Sequence, residues 1–246
     1  MSSIFDFDDV DQDVTNTTER RPASEHVGIV SMGKVVNGNV SVLPGWRIAT
    51  GDKKLAENLG RLFDAPVEET DSTKEEFIDV LTDREKLEII LDGPSAIYGD
   101  YKQFVNSKLK HHCDGFKYLS GDDPRTGESR KGQPCGCPTS LAEKKALARE
   151  DEGPSPSIEV KLRLAEDEGL GVFLWKTSSW GLARELYKAM HALNTNEGEQ
   201  LFSLEMEHVS FVAKNGPRKG KTVSYTQPAL RWIKPMNEAV ADEPGY

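Results

Sequence analysis

The hydrophobic and polar positions first read as strand. Val27 to Val30, Val35-Val36 and Val40 to Leu43 are β-rich runs, and the turn pair Asn37-Gly38 marks a hairpin that Trp46 to Ala49 extends. The period then changes. Leu55, Ala56, Leu59, Leu62 and Phe63 recur at helical spacing, and Thr73 with Glu76 makes a capping-box pattern ahead of Phe77, Val80 and Leu81, which predicts a second short helix. Lys86 to Leu91 and Ala96 to Phe104 read as strands separated by Asp92-Gly93-Pro94. A segment spanning 110–153, rich in Gly, Pro and charge, interrupts the pattern, and inside it Ser140 and Glu143 predict a capped helix from Leu141 to Arg149.

The last third alternates between the two periods. Strands are predicted over Ile158 to Leu164, Gly171 to Lys176 and Leu201 to Lys214, with a helix from Ser179 to Leu193 whose apolar face carries Leu182, Leu186, Met190 and Leu193. His191 falls on or beside that face, as a core or boundary histidine. Gly216 to Gly220 forms a hairpin tip leading into Thr222 to Thr226. Strands in succession, broken by isolated helices, point to an α+β fold with a mainly antiparallel sheet, a few helices and a cysteine-containing, zinc-binding loop segment. One α+β domain is expected over 25–236 with the segment 110–153 inserted in it, between an acidic tail at 1–24 and a C-terminal tail at 237–246. The first tail interleaves Asp6, Asp8, Asp9, Asp11 and Asp13 with Phe5, Phe7 and Val10; it is either a solvated tail or a short segment that folds onto a partner.

Composition narrows the classes. The 246 residues suffice for a continuous core, and a net charge of −10 argues against a protein that wraps the DNA backbone. No run of about 18 apolar residues is present and the first residues are acidic, so a cytosolic location is expected. Thiols are kept reduced there. Cys113, Cys135 and Cys137, an odd number, then read as metal ligands or free thiols rather than disulfides.

The most specific chemistry lies in His111-His112-Cys113 and Pro134-Cys135-Gly136-Cys137-Pro138. Two cysteines one residue apart can face one ion where the Gly between them lets the backbone fold round it. Cys113 is a third ligand, and His112 or His111 a fourth. Zinc suits thiolate and imidazole, and a closed site would be structural. The rival is three unconnected cysteines. Gly216 to Thr222 imitates a phosphate-binding loop but is one residue short and leads into strand, so no nucleotide is implied. Between Val209 and Met236 the chain carries Lys214, Arg218, Lys219, Lys221, Arg231 and Lys234 with no acid, interleaved with Phe211, Tyr225 and Trp232. That composition fits single-stranded nucleic acid, an acidic partner surface or a solvated edge hairpin. There is no Gly-x-Ser-x-Gly elbow and no His-Glu-x-x-His helix, and the chain is expected to be non-catalytic.

Met1 to Asp9, Gly38 to Asp52, Cys113-Asp114-Gly115, Pro134 to Pro138 and Gly169 to Gly181 resemble the recombination-directionality-factor-like family of actinobacterial phages, in particular of Streptomyces temperate phages. The likeness covers nearly the whole chain. It implies a regulator, working in the bacterial host cytoplasm, that binds a phage large serine integrase on attachment-site DNA, through the integrase's coiled-coil region. It would switch the integrase from integration to prophage excision, with little sequence-specific DNA binding of its own. Family members often carry a further cysteine before a Pro and a strand; here Gly153-Pro154-Ser155-Pro156 stands in its place, leaving a histidine, a water or no metal. Trp180, Tyr187, Arg218, Lys219, Lys221 and Trp232 are the expected partner-binding residues. The other open reading is a phage single-stranded-DNA-binding or DNA-metabolism protein. A metal-dependent hydrolase would need an open metal position and a nearby base.

Overall fold

The computed structural model describes residues 26–36, 39–70, 75–214 and 218–241; the acidic segment 1–24, Asn37-Gly38, Thr73 and Gly216-Pro217 lie outside them. In chain order the elements are β1 (Gly28–Val36), β2 (Asn39–Thr50), α1 (Lys53–Phe63), β3 (Val67–Glu69), β4 (Ile78–Leu81), β5 (Lys86–Asp92), β6 (Ile97–Val105), β7 (Lys108–Cys113), β8 (Tyr118–Ser120), α2 (Leu141–Arg149), β9 (Ser155–Leu164), β10 (Phe173–Thr177), α3 (Trp180–Thr195), β11 (Glu199–Val212), β12 (Thr222–Pro235) and α4 (Met236–Ala241). The architecture is α+β and mostly antiparallel, as the alternation predicts. Two compact units emerge: the first holds Asp92–Val160 and Lys176–Glu197, the second the described residues within Ser24–Leu91, Lys161–Trp175 and Gly198–Tyr246. No helix among the described residues is long and apolar enough to cross a membrane.

The second unit is a sheet in the order β12-β11-β5-β9-β10-β1-β2-β4-β3, to which β9 contributes its Lys161–Leu164 end. β1 runs parallel to β10 and antiparallel to β2. Trp46 and Trp175, both fully buried, meet edge to face with centroids 6.0 Å apart, and the Trp46 indole N–H donates to the Glu85 carbonyl at 3.0 Å. That contact gives a large apolar ring its polar partner inside the core. α1 starts where Asp52 accepts from the Lys54 and Leu55 amides, buries Leu55, Ala56, Leu59 and Phe63, and stops at Asp64, whose φ of 49° cannot continue a helix.

Two expectations are corrected here. Phe77, Val80 and Leu81 do not lie on a helix: Ile78–Leu81 is β4, paired antiparallel with β2 and β3. Apolar positions at 77, 78, 80 and 81 fit either period over so short a run, and β-branched Ile78 and Val80 with two partner strands favour the sheet. The final strand does not stop at Thr226 but runs to Pro235, paired with β11 from Val212↔Thr222 to Gln200↔Pro235 with one register shift between Leu201 and Phe202. Pro228 reads as a strand breaker, yet β12 is the end strand of this order and needs no partner for a missing amide on its open side. α4 follows β12 directly.

Inside this unit Asp79 has no exposed surface and takes Arg47 at 2.6 Å and Lys34 at 3.1 Å. Removing it would leave two partly buried cations facing each other. Asp79→Ala is expected to cost about 3 kcal/mol in urea denaturation, whereas Glu69→Ala, which breaks the exposed pair with Lys53, should leave the urea midpoint at the wild-type value.

The first unit is built on β6, flanked by β7 on one side and by the Ser155–Val160 part of β9 on the other, with β8 beside β7. Asn106 and Ser107, at φ 49° and 61°, close the β6–β7 hairpin in the two-residue form that matches strand twist. α3 begins at Ser179, whose hydroxyl accepts from the Leu182 amide at 3.2 Å, and buries Leu182, Ala183, Leu186, Ala189, Met190 and Leu193. His191 is exposed rather than on the apolar face, one residue of helical rotation beyond Met190. α2 spans the predicted residues, but Ser140 makes no side-chain cap bond.

Candidate metal centre

Pairing with β6 sets which way each β7 side chain faces. Cys113 pairs with Tyr101, His112 with Lys102 and His111 with Gln103, so His111 and Cys113 share one face and His112 takes the other. On the His112 face, Nδ1 meets the Ser120 hydroxyl at 2.7 Å and Nε2 meets the Asp100 carboxylate at 2.8 Å. Lys102 reaches the same carboxylate at 3.0 Å and donates to the Ser157 hydroxyl at 3.1 Å. Burial works to raise the Asp100 carboxyl, but the His112 hydrogen bond and the Lys102 charge outweigh it and hold the group below its ordinary range. Both ring nitrogens of His112 are therefore engaged, and neither is left for a metal.

The opposite face gathers His111, Cys113, Cys135 and Cys137, with their ligand atoms all within 4.8 Å of one another. Cys113 Sγ lies 3.8 Å from Cys137 Sγ, and Cys137 Sγ lies 3.5 Å from His111 Nε2. A tetrahedral ion bound at about 2.3 Å to sulfur and about 2.0 Å to nitrogen would set its ligands about 3.8 Å and about 3.5 Å apart, so the donor set fits one ion. Local backbone makes this possible. The Cys135 amide donates to the Phe116 carbonyl at 2.8 Å, Gly136 sits at φ 73°, and the Cys-Gly-Cys loop thereby turns both thiols back toward β7. The Tyr118 ring packs on His111 at 4.7 Å and carries the Arg130 guanidinium 4.3 Å above it.

Three thiols this close cannot each carry a full negative charge unaided. Cys113 is pushed well up, first by its hydrogen bond with Cys135, while hydrogen bonds from Cys113 and Cys137 hold Cys135 well below the thiol range. For Cys137 the bond with Cys113 lowers the value, but that with Cys135 and burial prevail, and it is pushed up to about 11. A bound dication would relieve the conflict by stabilising all three thiolates together.

A family model described as Gp3-like, recombination directionality factor-like, matches residues 27–231. The chain belongs to that family. The matched span runs from β1 into β12 and contains all four residues of the cluster. No solved structure matches the chain.

Of the predicted site residues, the structure brings Cys113, Cys135, Cys137 and His111 together and sends His112 to the other face. Trp180 is half-buried, with its ring 6.2 Å from that of Tyr101, and Tyr187 is half-buried under the Lys188 ammonium. Both belong to the first unit. Arg218, Lys219 and Lys221 are exposed at the turn of the β11–β12 hairpin, and Trp232 is 43 % exposed with its N–H on Gln200 Oε1 at 3.1 Å; all four belong to the second unit. Sequence reasoning missed Asp100, Lys102 and Ser120, the network that turns His112 away. Reading 108–113 as strand would have exposed the parity: the residue two before Cys113 is His111.

His111→Asn is expected to reduce divalent metal bound per chain at least tenfold in equilibrium dialysis, since loss of a ligand costs no less than the roughly tenfold loss of an outer-shell partner. His112→Asn should keep the metal and lower stability by about 1–2 kcal/mol in urea denaturation, because it takes one of two partners from a buried carboxylate and leaves Lys102 alone on it.

Proposed function

We propose that this protein is a non-catalytic recombination directionality factor, one that binds a phage large serine integrase on attachment-site DNA and switches it from integration to prophage excision. The observation that carries the reading is the family match over 27–231. The chain's acidity supports it, since a net charge of −10 disfavours competition for DNA phosphates and favours a basic, DNA-binding partner. The switch requires only that the factor prefer one arrangement of the integrase's mobile coiled-coil region over another, and several kcal/mol of differential affinity give a near-complete reversal. It would act in the cytoplasm of the bacterial host, where reduced thiols remain available to a metal.

On this reading the cysteine cluster is a structural zinc site. Cys113, Cys135, Cys137 and His111 would hold the ion in a closed tetrahedron, and the ion would supply crosslinking in a segment of Gly, Pro and charge that has little apolar surface to bury. Docking is assigned first to Trp232 with Arg218, Lys219 and Lys221, which stand exposed on the second unit, and then to Trp180 and Tyr187 on the first.

The test mixes purified protein with its cognate integrase and the two hybrid attachment sites, and in parallel with the two integrative sites. Recombination of the hybrid sites is expected to start and integrative recombination to fall. A folded protein that alters neither reaction of an active integrase sinks the reading and leaves single-strand binding as its successor. In the same assay Trp232→Ala is expected to raise the factor concentration needed for half-maximal excision about tenfold, the usual consequence of removing an aromatic anchor.

A further inference from the structure

α2 buries one side chain, and it is a lysine. Lys144 is 6 % exposed, while the apolar residues of the same helix, Leu141, Leu147 and the alanines, stay partly or wholly in contact with solvent. Its ammonium lies 5.1 Å from the Tyr101 ring and 5.4 Å from the Phe116 ring, and donates to the Thr139 carbonyl at 3.4 Å. No carboxylate among the described residues forms an ion pair with it. A buried ammonium without a counter-charge is costly, since two aromatic faces and one long carbonyl contact replace only part of its hydration.

The walls of this pocket identify the missing negative charge. Tyr101 is the β6 partner of Cys113, Phe116 follows Cys113 through the turn at Gly115, and Thr139 follows Cys137 by two residues. Gly115 sits at φ 101°, which calls for a glycine, and a Cβ there would stand 3.2 Å from Lys144 Nζ and 3.3 Å from the Tyr101 ring, crowding the ammonium. The residues around the ammonium are thus the strand partner and chain neighbours of Cys113 and Cys137, two of the three thiols of the cluster. Three thiolates and a neutral imidazole around a dication leave one net negative charge on the centre.

We infer that Lys144 is the built-in counter-charge of the metal centre, a buried cation that offsets the excess negative charge of a three-thiolate, one-imidazole site and strengthens its hold on the ion. This rests on reading the cluster as a metal site. Lys144 is not a ligand; it acts through the thiolates, and its role is to set affinity.

The test uses the full chain, stripped of metal and reloaded. Cobalt(II) is added first, because its thiolate-to-metal absorption counts coordinated sulfurs; zinc affinity is then measured by competition with a chromophoric chelator. Wild type is compared with Lys144→Met, close in shape without the charge, with Lys144→Gln in case the first variant does not fold, and with Lys108→Met at an exposed position. Wild type is expected to show a three-thiolate cobalt spectrum. Lys144→Met and Lys144→Gln should keep that spectrum and lose about tenfold or more in zinc affinity, and Lys108→Met should match wild type. Neutral variants with wild-type affinity overturn the counter-charge and show Lys144 to be packing alone, with the metal site intact. If wild type itself gives no thiolate–cobalt band, the metal reading fails, and the counter-charge with it.

Discussion

The hydrogen-bonded pairing of β7 with β6 is the constraint on which the first unit's chemistry depends. Successive strand residues face opposite ways, so one register places His111 and Cys113 on the side of the Cys-Gly-Cys loop and His112 on the side of Asp100. A slip of one residue would exchange them, putting His112 among the thiols and His111 against a buried carboxylate. The pairing of His112 with Asp100 and Ser120 opposes that slip, because both of the ring's hydrogen bonds would be lost at once. The polar face of β7 thus fixes the register, and the register assembles the metal face.

Much of the fold was legible in the sequence because long elements carry their period in many residues. α1 and α3 follow their apolar spacing, and β5 and β9 fall where their Val, Ile and Leu positions place them. The failures are short or local. Residues 77 to 81 satisfy both periods, so only the neighbouring strands β2 and β3 could decide them. Pro228 hides the second half of β12, since a proline is harmless on an end strand and disruptive in a central one, and position in the sheet is not written locally.

The site shows the same division. Cys113, Cys135 and Cys137 announce themselves by type and spacing, but the choice between His111 and His112 turns on strand parity in a segment whose Gly and Pro content suggests loop. Asp100 and Lys144 could not be found from the sequence. One is an acid in the middle of a strand and the other a lysine in a charged helix, and both have solvated counterparts throughout the chain; only burial distinguishes them. Family membership and site geometry answer different questions. The first bears on what the chain does, while the second concerns how a segment poor in apolar residues holds its shape.

The most direct test of this account is X-ray absorption at the zinc edge on the zinc-loaded full chain. Three sulfurs at about 2.3 Å and one nitrogen at about 2.0 Å, with the outer-shell scattering of an imidazole, are the expected result. A site with fewer than three sulfurs, or with an oxygen ligand in place of the imidazole, would contradict the arrangement that β7 imposes.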